Sequence, residues 1–459
     1  MTIEAAPKIT TVDQALELIQ QRDLKHVRVG AFDMDGILRG KLMSIDKFVS
    51  AIDKGFGFCD VVLGWDSADE LYDNVTKTGW HTGYPDAEVR VLPQTCRQVP
   101  WEEESLLFLG EFAGEMESIC PRGVLRRVLN RAESMGFKVK AAAEYEFFLF
   151  DETPHTLREK DYRDLTPLTP GMFGYSTLRG AVWSELHHEM LELGEIMDFP
   201  IEGLHTETGP GVLEAAIKVT DALEAADRAA LFKTFIKAMA QRHGLIASFM
   251  SKWSMDYPGQ SGHLHVSLTD TDGRPVFYDE KQDNRMSETM RHFVGGQQKL
   301  MPDLLAMTAS TVNAYTRLIP GFWAPTNANW GIENRTAALR VINSGGAKAA
   351  RVEYRVAPAD ANPYLAMAAA IASGLHGVQH GIEPSQPVKG NAYEQEFPFW
   401  MALPRTLWDA AKKFKASDAA RDLFGKDFVN HFAASREWEE REFRRHVTDW
   451  ELRRYFEII

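Results

Sequence analysis

Apolar residues recur along the chain at two periods, and each period predicts a different element. At helical spacing, "VDQALELIQQ" (residues 12–21) reads as a short amphipathic helix, and "WSELHHEMLELGEIM" and "DALEAADRAALFKTFIKAMAQRHG" read as further ones. "CPRGVLRRVLNRAESMGF" opens a helix with Pro121 in its first turn and closes it at Gly136. At spacing two, "GHLHVSLTD", "TAALRVI" and "RVEYRVA" read as strands. "HVRVGAFDMDGILRGKLMSI" reads as strand, turn at Asp35-Gly36, strand, and a Gly- and Asp-rich loop region is expected from there to about Pro100. The C-terminal segment reads as helical, rich in charge and aromatics. The pattern predicts mixed α and β structure, with a domain boundary near residues 100–120.

The run "AAAEYEFFLF" (residues 141–150) is short, aromatic-rich and free of Gly and Pro, so it reads as a buried strand. Alternation puts Glu144 and Glu146 on one face, where two half-buried like charges repel and lose hydration. The same oddity recurs elsewhere. "RVEYRV" puts Arg351, Glu353 and Arg355 on one face, and "GHLHVSL" groups His263, His265 and Ser267. "HTETGPGVLEAAI" offers Glu207 and Glu214 around a Gly/Pro turn, and "RTAALRVI" offers Arg335 and Arg340. A solvated outer face accounts for any one such strand. Apolar helices on both sides suggest instead that the sheet is covered and that the charged faces line a cavity.

Composition narrows the setting. The 459 residues are 44% hydrophobic and 25% charged, enough for a large core in more than one domain. Net charge is −14 and no Lys/Arg block stands out, which argues against nucleic acid and anionic membrane as partners. Cys59, Cys96 and Cys120 form no CxxC spacing, which points to a reducing compartment. The acidic, amphipathic start is not a signal peptide, and no apolar run reaches membrane-spanning length, so a cytoplasmic protein is expected.

Glutamates with histidine form a hard-to-borderline ligand set that suits Mg²⁺ or Mn²⁺. Arginines on neighbouring strands suit phosphate and carboxylate. Metal with phosphate-binding arginine implies phosphoryl transfer from a nucleotide, yet the chain has neither a GxxxxGK[ST] loop nor the kinase motifs.

In order, "AEYEFFLF", "GHLHVSL", "NAYTRLIPG", "NRTAALR", "ARVEYR" and "ADANPYLAMAA" resemble the motif series of the glutamine synthetase superfamily, and "FDMDGILRGK" resembles its N-terminal domain. The resemblance implies an α+β fold. A small N-terminal β-grasp domain (residues 1–110) would precede a catalytic domain (residues 111–459) of curved antiparallel strands backed by helices. It implies a ring-forming homo-oligomer, such as a dodecamer, with active sites shared between subunits. It also implies ATP, L-glutamate and an amine as substrates, joined through γ-glutamyl phosphate, with Mg²⁺ or Mn²⁺ bound.

By the same resemblance, Glu146, Glu207 and Glu214 would bind one metal, and Glu144, His263 and Glu353 the other. His265, Ser267, Arg335, Arg340 and Arg351 would hold the nucleotide phosphates. Arg317 and Arg355 would hold glutamate, with Gly259 in close approach, and Arg335 and Arg355 would serve catalysis. Asp33 would reach a neighbouring subunit's site and bind or deprotonate the amine.

Two departures matter. Ammonia-using members carry Glu two residues after the "PG" of "RLVPG", and here Trp323 stands there. Removing that anion and adding apolar surface suits an organic amine; the alternative is that Trp323 only packs. Pro258-Gly259 replaces an Asn-Gly pair, and with it an amide contact to the substrate amino acid. The expected function is a glutamate–amine ligase, with an ammonia-using synthetase and a non-catalytic homologue as rivals.

Overall fold

The computed structural model describes residues 4–102 and 104–459. The first of two sheets contains β1 (His26–Phe32), β2 (Leu38–Ser44), β3 (Phe56–Cys59), β4 (Asp86–Gln98) and β5 (Leu106–Phe112), in the order β2-β1-β5-β4-β3. β1 and β5 run parallel and the other pairs antiparallel. The β1–β2 turn closes at Gly36, whose φ of +79° favours glycine. Helix Ile45–Lys54 starts at Ser44, whose hydroxyl accepts from the Lys47 amide, and buries Phe48, Ala51 and Ile52. Phe48 meets Phe108 of β5 at 4.8 Å.

The region expected to be loop as far as Pro100 therefore holds this helix, β3 and β4. A register shift between Leu92 and Arg97 interrupts the alternation of β4 around Pro93 and hides the strand from a period-two reading.

The second sheet begins with the long β6 (Phe137–Phe150). It continues with β7 (Ile201–Thr206), β8 (Val212–Ile217), β9 (Thr220–Asp221), β10 (Ile246–Ser248), β11 (Gly262–Asp270), β12 (Trp330–Ile332), β13 (Leu339–Ile342) and β14 (Arg351–Tyr354). The order is β12-β13-β14-β11-β6-β8-β7, with β9 and β10 also on β6. One face is sealed by helices. Tyr145 and Phe147 of β6 pack on Phe232 of helix Ala222–Arg242, at centroid distances of 6.0 and 5.9 Å. Helices Glu288–Thr308 and Pro363–His380 cross at glycines so close that a Cβ on Gly377 would stand 2.0 Å from the His292 carbonyl. With that face filled by apolar packing, the even-numbered side chains of β6, Glu144 and Glu146 among them, point the other way. Among the described residues, no helix is long and apolar enough to cross a membrane.

Candidate active site

Directly opposed residues of antiparallel strands share a face. The register thus lays three polar rows across the uncovered face. Arg340 of β13 opposes Glu353 of β14, which opposes His265 of β11. His263 of β11 opposes Glu144 of β6. Glu146 of β6 opposes Glu214 of β8, which opposes His205 of β7.

These side chains meet at short range. Glu353, 1% exposed, accepts from Arg355 and, at 3.1 Å, from Arg340. His263 Nδ1 lies 3.3 Å from Glu353 and 3.9 Å from Glu144, and His265 Nε2 lies 3.3 Å from Glu144. The Arg351 Nε–H donates to His265 Nδ1 at 3.1 Å. The Ser261 amide donates to Glu146 at 2.8 Å, and the Thr208 amide to Glu207 at 2.5 Å. Arg317 is buried and donates to the carbonyls of Val356 and Arg355. Gly259 makes this possible: a Cβ there would meet Arg317 Cγ and the Ser251 carbonyl, each at 2.7 Å.

Charge crowding is legible in the acidities. Burial first, then Glu146, Glu144, Glu207 and Glu353, pushes the Glu214 carboxyl up to about 9. Burial likewise raises Glu146, against the opposing pull of Ser261 and Arg317. Burial works to raise Glu144 as well, but His265, Arg355 and Arg351 outweigh it and the net is lowered. Burial, followed by Arg355 and Arg317, holds His263 well below its usual range and therefore neutral.

Two cavities flank the rows. The larger, about 390 Å³, is lined by Glu144, Glu146, Glu207, Glu214, His263, Gly259, Arg317, Arg335, Arg355 and Trp323. Its remaining wall is Phe148, Tyr175, Thr208, Val212, Pro258, Ser261 and Phe322. The smaller, about 290 Å³, is lined by His265, Ser267, Arg351, Lys140 and Lys348 among others, and Glu144 stands in both walls.

The donor set fits divalent cations. Glu144, His265 and Glu353 bring ligand atoms within 4.8 Å of one another. A buried, neutral His263 keeps its Nε2 without a partner, and Glu214 sits among carboxylates whose repulsion a cation would relieve.

All but three of the sequence-predicted residues line one cavity or the other. Glu353 and Arg340 form the ion-paired floor between them, where Arg340 also binds Glu333 at 3.0 Å. Asp33 lies elsewhere and faces inward. One oxygen accepts from the Asp35 and Ile37 amides and the other from Arg39 at 2.8 Å. Asp60, directly after β3, is also fully buried: Thr78 donates to one oxygen and the other has no hydrogen-bond partner among the described residues.

Sequence reasoning missed Tyr175, His205 and Phe322. Tyr175 stands edge-on to His205 at 4.3 Å; His205 opens the flagged segment "HTETGPGVLEAAI", where its place two residues before Glu207 was the available signal, whereas Tyr175 lies outside every flagged motif. Phe322 was adjacent to the flagged Trp323, and the aromatic pair was the available signal.

Comparison with known proteins places the chain in a family. The family profile described as glutamine synthetase, catalytic domain, matches residues 118–455. Type-1 glutamine synthetase 2 of Dictyostelium discoideum is 44% identical over 462 residues, 99% of this chain and 88% of that protein. The glutamate–isopropylamine ligase of a Pseudomonas species is 36% identical over 448 residues, 96% of this chain and 97% of that protein. A solved structure described as apo GmaS without ligand superposes with a TM-score of 0.84 at 25% identity, covering 97% of this chain and all of that one.

Proposed function

The chain belongs to the glutamine synthetase superfamily of ATP-dependent carbon–nitrogen ligases, and from that premise we propose that it joins an organic amine to the γ-carboxylate of L-glutamate. Arg317 and Arg355 would hold glutamate in the larger cavity. Arg351, His265 and Ser267, with Lys140 and Lys348, would hold the polyphosphate of ATP in the smaller one.

Glu144 stands in both walls, so the phosphoryl group would pass beside it. A γ-carboxylate oxygen forms a bond to the γ-phosphorus as the bond to ADP breaks, and Arg335 and Arg340 balance the charge on the phosphoryl oxygens. The neutral amine then adds to the acyl carbon of γ-glutamyl phosphate. Phosphate leaves with the C–O electron pair, and a carboxylate takes the amine's proton. Bound at Glu146–Glu207–Glu214 and at Glu144–His263–Glu353, divalent cations would supply Lewis-acid neutralisation of carboxylate and phosphoryl oxygens.

The observation that carries the acceptor assignment is the aromatic wall. Trp323 lines the cavity with Phe322, Phe148 and Tyr175, in the position where the ammonia-using pattern has a carboxylate. The name of the Pseudomonas relative, an isopropylamine ligase, supports the same class of acceptor. Phosphate release over an amine panel, with ATP, Mg²⁺ and glutamate constant, tests it.

The second reading is an ammonia-using synthetase, which the Dictyostelium relative favours. A non-catalytic homologue is disfavoured by the buried charge: a protein without chemistry has no use for Glu353, His263 and Arg317 in its interior. The proposal extends to a ring-forming homo-oligomer with sites completed across subunits. Asp33 would then be the acid contributed by the small sheet to a neighbouring subunit's site.

A further inference from the structure

The loop 318–324, "LIPGFWA", leaves the helix that ends at Arg317 and carries both aromatic residues of the acceptor wall. Its backbone is unusual. Gly321 has φ +84°, and Trp323 has φ +59°, a left-handed conformation that a bulky aromatic adopts rarely. Such a conformation persists only where its surroundings over-determine it. Trp323 itself is 57% exposed and supplies little of that restraint.

The restraint lies one residue earlier. The ammonium of Lys252 sits 4.1 Å from the centroid of the Phe322 ring. Lys252 is buried, 3% exposed, and fixed from three directions. Its amide donates to the Asn313 side chain at 2.8 Å, and its carbonyl accepts from the same side chain at 2.9 Å. Its ammonium donates to the Tyr257 carbonyl. Asn313 directly precedes the helix Ala314–Arg317, so the lysine and the start of the loop share one anchor. Burial, and Arg317 nearby, disfavour a cation at this point. An ammonium kept here with a single hydrogen-bond acceptor needs the aromatic face as its second partner.

We propose that Lys252 is a positioning residue for acceptor choice: its cation–π contact with Phe322 latches the 318–324 loop so that Trp323 forms a fixed wall of the acceptor end. This rests on the reading of that wall as the amine-selecting surface and names what holds it in place. A wall pinned in this way favours an amine whose apolar body fills the gap, whereas ammonium gains nothing from it.

The test compares wild type with Lys252→Met, which keeps the stem and removes the charge, Lys252→Arg, Phe322→Leu and the double variant Lys252→Met/Phe322→Leu. Two readouts are taken. One is kcat/KM for the best organic amine and for ammonium, with KM for glutamate and ATP. The other is the rate of chymotryptic cleavage after Phe322 or Trp323, or after Trp323 alone in the Leu variants, read by mass spectrometry.

The latch predicts that Lys252→Met lowers the amine-to-ammonium ratio on the order of tenfold, the size of a desolvated cation–π contact. KM for ATP stays put, cleavage quickens, and Lys252→Arg restores most of both. Phe322→Leu gives the same loss, and the double variant adds little to either, because one contact is removed each time. An unchanged ratio with unchanged cleavage overturns the latch, and so does a rise in KM for glutamate at constant ratio, which would make Lys252 a glutamate contact. If wild type itself prefers ammonium over the whole panel, the acceptor reading falls, and the cleavage rates still decide whether the loop is latched.

Discussion

Glu146 and Glu214 face each other across β6 and β8, and burial, followed by the charges of Glu146, Glu144, Glu207 and Glu353, lifts Glu214 to about 9. Carboxylates buried this way need a cation, or they need a proton. Glu144→Ala and Glu146→Ala should therefore each abolish turnover and reduce the thermal stabilisation conferred by Mg²⁺ or Mn²⁺; near-normal activity in either variant refutes the metal assignment. Gly259→Ala probes the neighbouring requirement. Its Cβ would displace Arg317, so KM for glutamate should rise about tenfold or more with KM for ATP unchanged. Equal shifts in both constants would mean a general loss of structure.

At this scale the sequence was informative wherever chemistry lies on strands. Alternation alone put Glu144 beside Glu146, and Glu353 beside Arg351 and Arg355. It could have found His205, two residues before Glu207, but not Tyr175, which meets the site only through tertiary folding. Nor does alternation reveal the turn contact of Asp33, which accepts from the Ile37 amide four residues on.

Between elements, His431 is one of several contacts that tie the C-terminal helices to the N-terminal region. It lies on helix Lys426–Phe443, and its Nε2 donates to the Leu63 carbonyl at 2.8 Å. Burial first, then Arg436 and Lys77, lowers its pKa from 6.5 to about 4, against the opposing effect of the Leu63 bond. The unfolded chain then binds more protons than the folded one between those values. Stability is complete above pH 6.5 and falls as pH drops towards 4, by on the order of 3 kcal/mol from this group. His431→Gln keeps a donor without the titration, so its melting temperature should fall less than wild type's between pH 7 and 4.5, by a few degrees. Parallel curves would remove His431 from the acid response.

Long periodic elements were legible: the helices Val12–Gln21 and Pro121–Ser134 and the strands β6 and β11 fall where the pattern put them. Helix Ile45–Lys54 was overlooked although Ser44 caps it and Phe48, Ala51 and Ile52 carry its period. Its shortness, between glycine-rich neighbours, masked it.

For the whole molecule, two sheets joined in one chain leave a site whose proposed metal, phosphate and glutamate ends come from the larger sheet and its loops. If assembly completes it, dead Asp33→Ala chains mixed with dead Glu353→Ala chains should regain part of their activity after co-assembly. A verified monomer with full activity contradicts the shared site.

The central claim concerns the acceptor, and it turns on an exchange of charge for apolar area. Covering about 60–100 Å² of an amine's hydrocarbon at ~25 cal/mol per Å² contributes roughly 1.5–2.5 kcal/mol that ammonium cannot gain. The direct measurement is kcat/KM for ammonium and for the best alkyl- or arylamine, in wild type and in Trp323→Glu. The account predicts a wild-type preference for the organic amine of at least about tenfold, moved back towards ammonium by the variant, which restores an anion and removes apolar surface. A wild-type preference for ammonium across the whole panel would contradict it and make the protein an ammonia-using synthetase.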